Sequence, residues 1–195
     1  MKVGVLAVQG AVSEHAGALR AAAEAEGLDV EVVTVRTAAD AKDLAGIVLP
    51  GGESTTISRL LRSTGVHDVL AERGGKDLAV FGTCAGMILL ASRAEHDVAD
   101  KDIRLLGLLD ATVDRNAFGR QRDSFEAILD VAHIGAMPAV FIRAPAYVDT
   151  TAEVLARHDG RIVAAQHAKV LATAFHPELT PDARLHARFL RLCQD

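Results

Sequence analysis

Cys84 stands between two glycines in Gly82-Thr83-Cys84-Ala85-Gly86. The spacing is G-x-C-x-G, the thiol form of the G-x-S-x-G nucleophile elbow. One apolar run, "DLAVFG", ends here, and another, "AGMILLAS", follows at once. A sharp strand-to-helix turn needs small neighbours on both sides, and it lifts the nucleophile above the sheet edge. A free thiol, with a pKa of about 8.5, is only a few per cent ionised at neutral pH. A helix starting at Ala85 aims its N terminus at the sulfur, which favours the thiolate. The backbone N–H of Ala85 is then placed for an oxyanion hole, where one donor is typically worth about 3 kcal/mol. A cysteine in such a run can also be a small buried hydrophobe; the strand-turn-helix context favours the nucleophile.

Thiolate hydrolysis also needs a base and a group to orient it. His176 in "TAFHPEL" follows an apolar run, and Pro177 stops that run from pairing further. A histidine at a strand end on the rim of a parallel sheet sits where ligands usually bind. Glu178, two residues on, can hold the imidazole. Taken alone, the segment reads first as a surface His-Pro turn. A second Gly-rich turn, "LPGGES", exposes backbone N–H groups that suit an oxyanion or a carboxylate. It lacks the lysine of a phosphate loop, and an ordinary strand-helix turn is its other reading.

The elements that must position these residues follow from the apolar pattern. "KVGVLAV", "DVEVVTV", "AGIVLP" and "DLAVFG" read as buried strands. Between them lie an Ala-rich helix closing at Gly27 and a helix "ESTTISRLLRST" that opens on capping residue types. This alternation predicts an α/β fold with a parallel sheet. Past residue 104 the pattern changes to short strand-like runs, with an Asp-Gly hairpin signal in "RHDGRIV". "PDARLHARFLRLC" predicts a closing amphipathic helix. The 195 residues are read as one domain, 1–195.

Composition narrows the function classes. The net charge is -5 with scattered Lys and Arg, and aromatics are 4%, so a nucleic-acid partner is not expected. No apolar run has the length of a membrane span, and "MKVGVLAVQG" reads as a first strand rather than a signal peptide. The two cysteines, Cys84 and Cys193, make no disulfide framework and fit a reducing cytoplasm. No metal is implied by ligand spacing, and no cofactor is expected.

Together the G-x-C-x-G, P-G-G-E and H-P-E segments resemble the class I, triad-type glutamine amidotransferases. "GVLAVQGAVSEH", "LPGGESTT", "FGTCAGMILLA", "LLGLLDATVDRNAFGRQRDSFEA", "VFIRAP", "GRIVAAQ" and "FHPELT" run in order from residue 4 to residue 180. They are similar to the glutaminase subunits of pyridoxal 5'-phosphate synthase. The resemblance implies a flavodoxin-like, mostly parallel sheet flanked by helices, with added antiparallel strands. It implies Cys84 as nucleophile, His176 as base and Glu178 as orienter, with an oxyanion hole near Gly52 and Ala85. It places Gly52, Glu53, Ser54, Arg115, Ile142 and Arg143 against L-glutamine, and makes Gln9 and Gly10 an activation segment. Ammonia would pass to a (β/α)8-barrel synthase subunit in a hetero-oligomer. Pyridoxal phosphate would be the partner's product.

Other readings stay open at this point: a glutaminase serving another acceptor, a binding module without turnover, or a cysteine peptidase or chaperone on a similar sheet. "SRAEHDVADKDIRL" is expected to be a surface loop. His15, His167 and His186 are expected at helix or surface positions, and Cys193 is expected to be inert.

Overall fold

The computed structural model describes residues 1–95, 103–118 and 124–194. Val-rich runs without polar interruption form the first strands. β1 (Lys2–Leu6) leads into α1 (Val12–Glu26), which ends at Gly27 in the left-handed conformation. β2 (Glu31–Val35), β3 (Gly46–Leu49) and α2 (Ser54–Ser63) follow. α3 (Val66–Arg73) was not legible in the sequence, because its eight residues bury only Val66, His67 and Leu70 and give little period to read. β4 (Ala79–Thr83) then enters α4 (Ala85–Leu90), all of whose residues are buried.

α4 stops two residues sooner than expected, and the chain passes directly into β5 (Ala91–Ala94). Ser92, Arg93 and Ala94 therefore lie in a strand, not in the surface loop the sequence suggested. Cross-strand pairing explains this: the segment pairs in parallel with residues 109–113, and Arg93 reaches Asp110 on that strand and Asp149 on the strand beyond it. Of the rest of that loop, residues 96 to 102 lie outside the described residues. β6 (Leu109–Asp114), β7 (Ser124–Val131), β8 (Gly135–Ile142), β9 (Ala146–Thr150), β10 (Glu153–His158), β11 (Arg161–His167) and β12 (Val170–Thr173) follow. A 3₁₀ turn (Pro177–Leu179) and α5 (Arg184–Leu192) close the chain.

The main sheet runs β2-β1-β3-β4-β12-β11-β9-β6-β5, with β10 paired to β11. β2 through β12 in this order are parallel neighbours. β11, β9 and β6 add antiparallel pairs beyond β12. The β10–β11 hairpin turns on Asp159 (φ 48°) and Gly160 (φ 77°), the positive φ pair that a type I′ turn requires. β7 and β8 form a separate ribbon. α1 packs on α5, and α2 packs on α3 and α4, so two helix groups cover the parallel strands. No described helix is long and apolar enough to cross a membrane.

This topology gathers four segments at one rim. The loops leaving the C-terminal ends of β1, β3, β4 and β12 carry Gln9-Gly10, Pro50 to Glu53, Cys84, and His176 to Glu178. In open parallel sheets that rim is where ligands bind.

Candidate active site

The elbow at Cys84 is built as its spacing implied. Cys84 has φ 49° and ψ −105°, a strained conformation for a residue with a side chain. Its N–H donates to the carbonyl of Thr173 on β12 at 2.8 Å. The flanking glycines have measurable reasons. A Cβ on Gly82 would lie 2.6 Å from the Gly86 carbonyl carbon, and one on Gly86 would lie 2.2 Å from the Leu49 carbonyl oxygen. Only hydrogen at both positions lets α4 cross so close to β4 and β3. Cys84 keeps 8% of its surface exposed, enough to face the cleft. Its Sγ lies 3.8 Å from the Ile142 carbonyl oxygen.

His176 arrives from β12 past the buried Phe175, and its N–H donates to the Val140 carbonyl on β8 at 2.8 Å. Pro177 opens the 3₁₀ turn, which swings Glu178 back beneath the ring. His176 Nδ1 is 2.7 Å from Glu178 Oε1. Burial works against the His176 charge, but hydrogen bonds with Cys84 and Glu178 prevail and raise its pKa to about 10. Burial likewise opposes the Glu178 carboxylate, and donors from His15 and His176 outweigh it, lowering the pKa to about 2. The arrangement holds an imidazolium between a sulfur and a carboxylate.

The cleft beside Cys84 has a volume of about 360 Å³, and Gly10, Gly52, Glu53, Ser54, Ala85, Arg115, Ile142 and Arg143 all line it. Gly51 lines it too: a Cβ there would meet His176 Cε1 at 2.4 Å. Gly52 has φ 149° and Gly10 φ 98°, and a Cβ on Gly10 would sit 2.1 Å from the Gly51 carbonyl oxygen. Gln9 does not line the cleft; its Oε1 accepts the Glu53 N–H at 2.9 Å.

Glu53 caps α2, accepting from the N–H groups of Thr55 and Thr56. Burial opposes its charge, but these donors prevail and lower its pKa to about 2. Arg115 Nη2 donates to Glu53 Oε1 at 2.9 Å. Ser54 Oγ and Arg115 Nη1 are buried with no hydrogen-bond partner, so the cleft offers polar groups that a small polar substrate can satisfy.

The sequence pattern of the SNO glutamine amidotransferase family matches residues 5–195. The chain belongs to this family. It is 49% identical over 193 residues to the pyridoxal 5'-phosphate synthase subunit PdxT of Methanosarcina mazei, covering 97% of each chain. The subunit of the same name from Brevibacillus brevis is 48% identical over 198 residues, covering 100% of this chain and 98% of that one. A crystal structure of a glutamine amidotransferase superposes with a TM-score of 0.86 at 43% identity, covering 99% of both chains.

In this SNO-family site the structure brings together every residue named from the sequence, with Gln9 and Glu178 one layer behind the cleft wall. His15 and His186 sit on helices, one of the two placements expected for them, and both are fully buried behind His176 and Glu178. His15 Nδ1 is 3.0 Å from His186 Nε2, and His15 Nε2 lies 3.2 Å from Thr83 Oγ1 and 3.4 Å from Glu178 Oε1. Helical periodicity carried the missed signal: His15 shares a buried stripe with Leu19, Ala22 and Ala23, as His186 does with Leu185, Phe189 and Leu190. His167 is exposed. Cys193 sits at the end of α5, where burial pushes its thiol up to about 12, in keeping with an inert role.

Proposed function

We propose that this chain hydrolyses L-glutamine to L-glutamate and ammonia, and that the ammonia feeds a synthase subunit making pyridoxal 5'-phosphate. The observation that carries this reading is Cys84 on a strained elbow, facing one small cleft with Arg115 and with His176, whose ring is held by Glu178. The Cys84 sulfur attacks the side-chain amide carbon of glutamine. The oxyanion that forms is met by backbone N–H groups at Ala85 and Gly52. His176 gives its proton to the departing nitrogen, which leaves as ammonia, and a γ-glutamyl thioester remains on Cys84. His176 then takes a proton from water, the hydroxide attacks the thioester, and glutamate departs as the sulfur is released. Glu178 keeps the imidazole oriented through both steps.

Free glutamine carries an ammonium and a carboxylate, so its site needs both charge signs. The Arg115 fork suits the carboxylate. Gly52, Glu53, Ser54, Ile142 and Arg143 complete the substrate wall. The partner is a (β/α)8-barrel synthase subunit in a hetero-oligomer, docked so that ammonia never reaches bulk solvent. Gln9 and Gly10 form a switch: Gln9 holds the turn before α2, and rearrangement on docking completes the oxyanion hole. Gln9→Ala that left partner-stimulated activity unchanged would remove the switch from this account.

The test is release of glutamate and ammonia from L-glutamine, with and without added synthase subunit, for wild type and Cys84→Ala. Release that needs Cys84 and rises with the synthase is expected. Release that needs Cys84 but ignores the synthase would keep the glutaminase and reopen the acceptor. No Cys84-dependent release under either condition would sink the enzyme reading.

A further inference from the structure

Glu178 is the buried end of the proposed triad, yet its oxygen that meets His176 also faces a second imidazole. His15 Nε2 is 3.4 Å from that Oε1, and His15 and His186 are both fully buried. They rest on Phe81 of β4, one strand-turn below the elbow. An apolar pair would fill this volume more simply, because burying a polar ring is costly unless it is hydrogen-bonded. Among the described residues no trio of His, Cys, Asp or Glu is arranged to hold a metal ion.

The hydrogen-bond geometry selects one proton arrangement. A bare Nε2 on His15 would point its lone pair at the Glu178 carboxylate, so Nε2 carries the proton and faces Oε1 and Thr83 Oγ1. His186 Nδ1 has no partner. A proton placed there would be a buried donor without an acceptor. His186 therefore carries its proton on Nε2 and donates to His15 Nδ1 at 3.0 Å. Each buried N–H then has an acceptor, and the chain of donors ends at His15 Nε2, 3.2 Å from Thr83 Oγ1 and 3.4 Å from Glu178 Oε1.

We infer that His15 is a positioning residue for catalysis, that His186 fixes its tautomer, and that the two extend the triad inward from Glu178. This rests on the glutaminase reading above. His15 supplies Glu178 with a second donor, so the carboxylate stays ionised and in place beneath His176. His15 also belongs to α1, and the loop just before that helix carries Gln9, so one continuous segment, 9–15, reaches both the turn at Glu53 and the buried Glu178.

The test compares His15→Gln, His15→Asn and His15→Phe in the full-length chain. The Gln amide reaches the Nε2 position and keeps a donor for Glu178. Asn keeps a polar partner for His186 but loses the reach to Glu178. The first readout is the rate of iodoacetamide alkylation at Cys84, scored on its own peptide and needing neither glutamine nor partner. The second is kcat and KM for glutamine with the synthase subunit added. Outer-shell partners that orient metal-bound imidazoles typically cost about 10- to 100-fold when lost, and a loss of the same order is expected for the partner of the carboxylate that orients His176. His15→Asn and His15→Phe are expected to lose that much in alkylation rate and in kcat, with KM held, while His15→Gln stays close to wild type. His186→Phe is expected to slow Cys84 less than His15→Asn does. Wild-type alkylation in folded His15→Asn, or His15→Gln as slow as His15→Asn, would overturn the role of His15. A wild-type rate in His186→Phe would remove His186 from it. If wild type releases no glutamate, the glutaminase reading fails, while the alkylation rates still decide whether His15 positions the triad. Failure of His15→Phe to fold leaves the Asn and Gln pair to carry the comparison.

Discussion

Arg115 Nη2 lies 2.9 Å from Glu53 Oε1, so two residues assigned separately to the substrate are assigned first to each other. Glu53 is already the cap of α2. The ion pair therefore fixes the Arg115 fork to the start of a helix and leaves its Nη1 without a partner at the cleft. A charged hydrogen bond is worth about 1.5–3 kcal/mol. Arg115→Ala should accordingly raise KM for glutamine about 10- to 100-fold with a smaller change in kcat. Steady-state kinetics with the synthase subunit present checks this, and a loss confined to kcat would move Arg115 out of substrate binding.

Glu53→Ala removes the cap as well as the partner of Arg115. Loss of a side-chain cap costs about 1 kcal/mol. The expected result is a melting temperature lower by about 2–4 °C, for a chain of this size, together with a raised KM. Arg115→Ala should show the second effect with less of the first.

Gly51→Ala is a test of geometry at His176 and Cys84, the proposed reacting groups. The new Cβ would stand 2.4 Å from His176 Cε1 and 3.1 Å from Cys84 Cβ. His176 must move, and a misplacement near 1 Å can cost about 100-fold in rate. kcat should fall by about that factor while far-UV circular dichroism stays as in wild type. Gly86→Ala meets the Leu49 backbone instead, and overpacking of that kind should cost about 1–3 kcal/mol of stability, read by urea unfolding.

Gly17 lies exposed within α1 and has nothing near its missing Cβ. Gly17→Ala should therefore stabilise the chain by about 0.5–1 kcal/mol, through the lower backbone entropy of the unfolded state and better helix propensity. A melting temperature unchanged or lowered would contradict the packing described for this face.

Stability should depend on pH through the buried His176, Glu178 and His186. Glu178 is lowered from 4.5 to about 2, so its contribution is full above 4.5 and fades as pH falls toward 2. His176 is raised from 6.5 to about 10, so its contribution is full below 6.5 and fades as pH rises toward 10. His186 acts oppositely on the acid side: burial, with the neighbouring His15, lowers it from 6.5 to about 3, and keeping it neutral costs stability as pH falls through that range. The stability difference between wild type and Glu178→Gln should be largest between about pH 4.5 and 6.5 and narrow on both sides. Urea unfolding across pH 3 to 10 measures it.

Much of the frame was readable along the chain. The apolar runs of β1, β3 and β4, the Gly27 stop of α1 and the Asp159-Gly160 hairpin are local signals, each set by residues within a few positions. The elements that escaped depend on distant partners. β5 takes its form from parallel pairing with β6, and β9 pairs with strands before and after it. The expected substrate residues were brought to one cleft, but that Glu53 would cap α2 and also hold Arg115 could not be read from two segments 62 residues apart.

By itself the sequence determined the chemistry available and the turns that present it. Gly82 and Gly86 around Cys84, and Pro177 between His176 and Glu178, act through steric limits on the adjoining backbone, and such limits travel with the residues. The tertiary structure alone decided which groups face one another. His15 and His186 are 171 positions apart, and they meet because α1 and α5 pack together over the same strands. Once both rings are shut away from water, each buried N–H must find an acceptor. Burial and contact arise from the whole packed sheet, so only the folded chain turns two helix histidines into neighbours of Glu178.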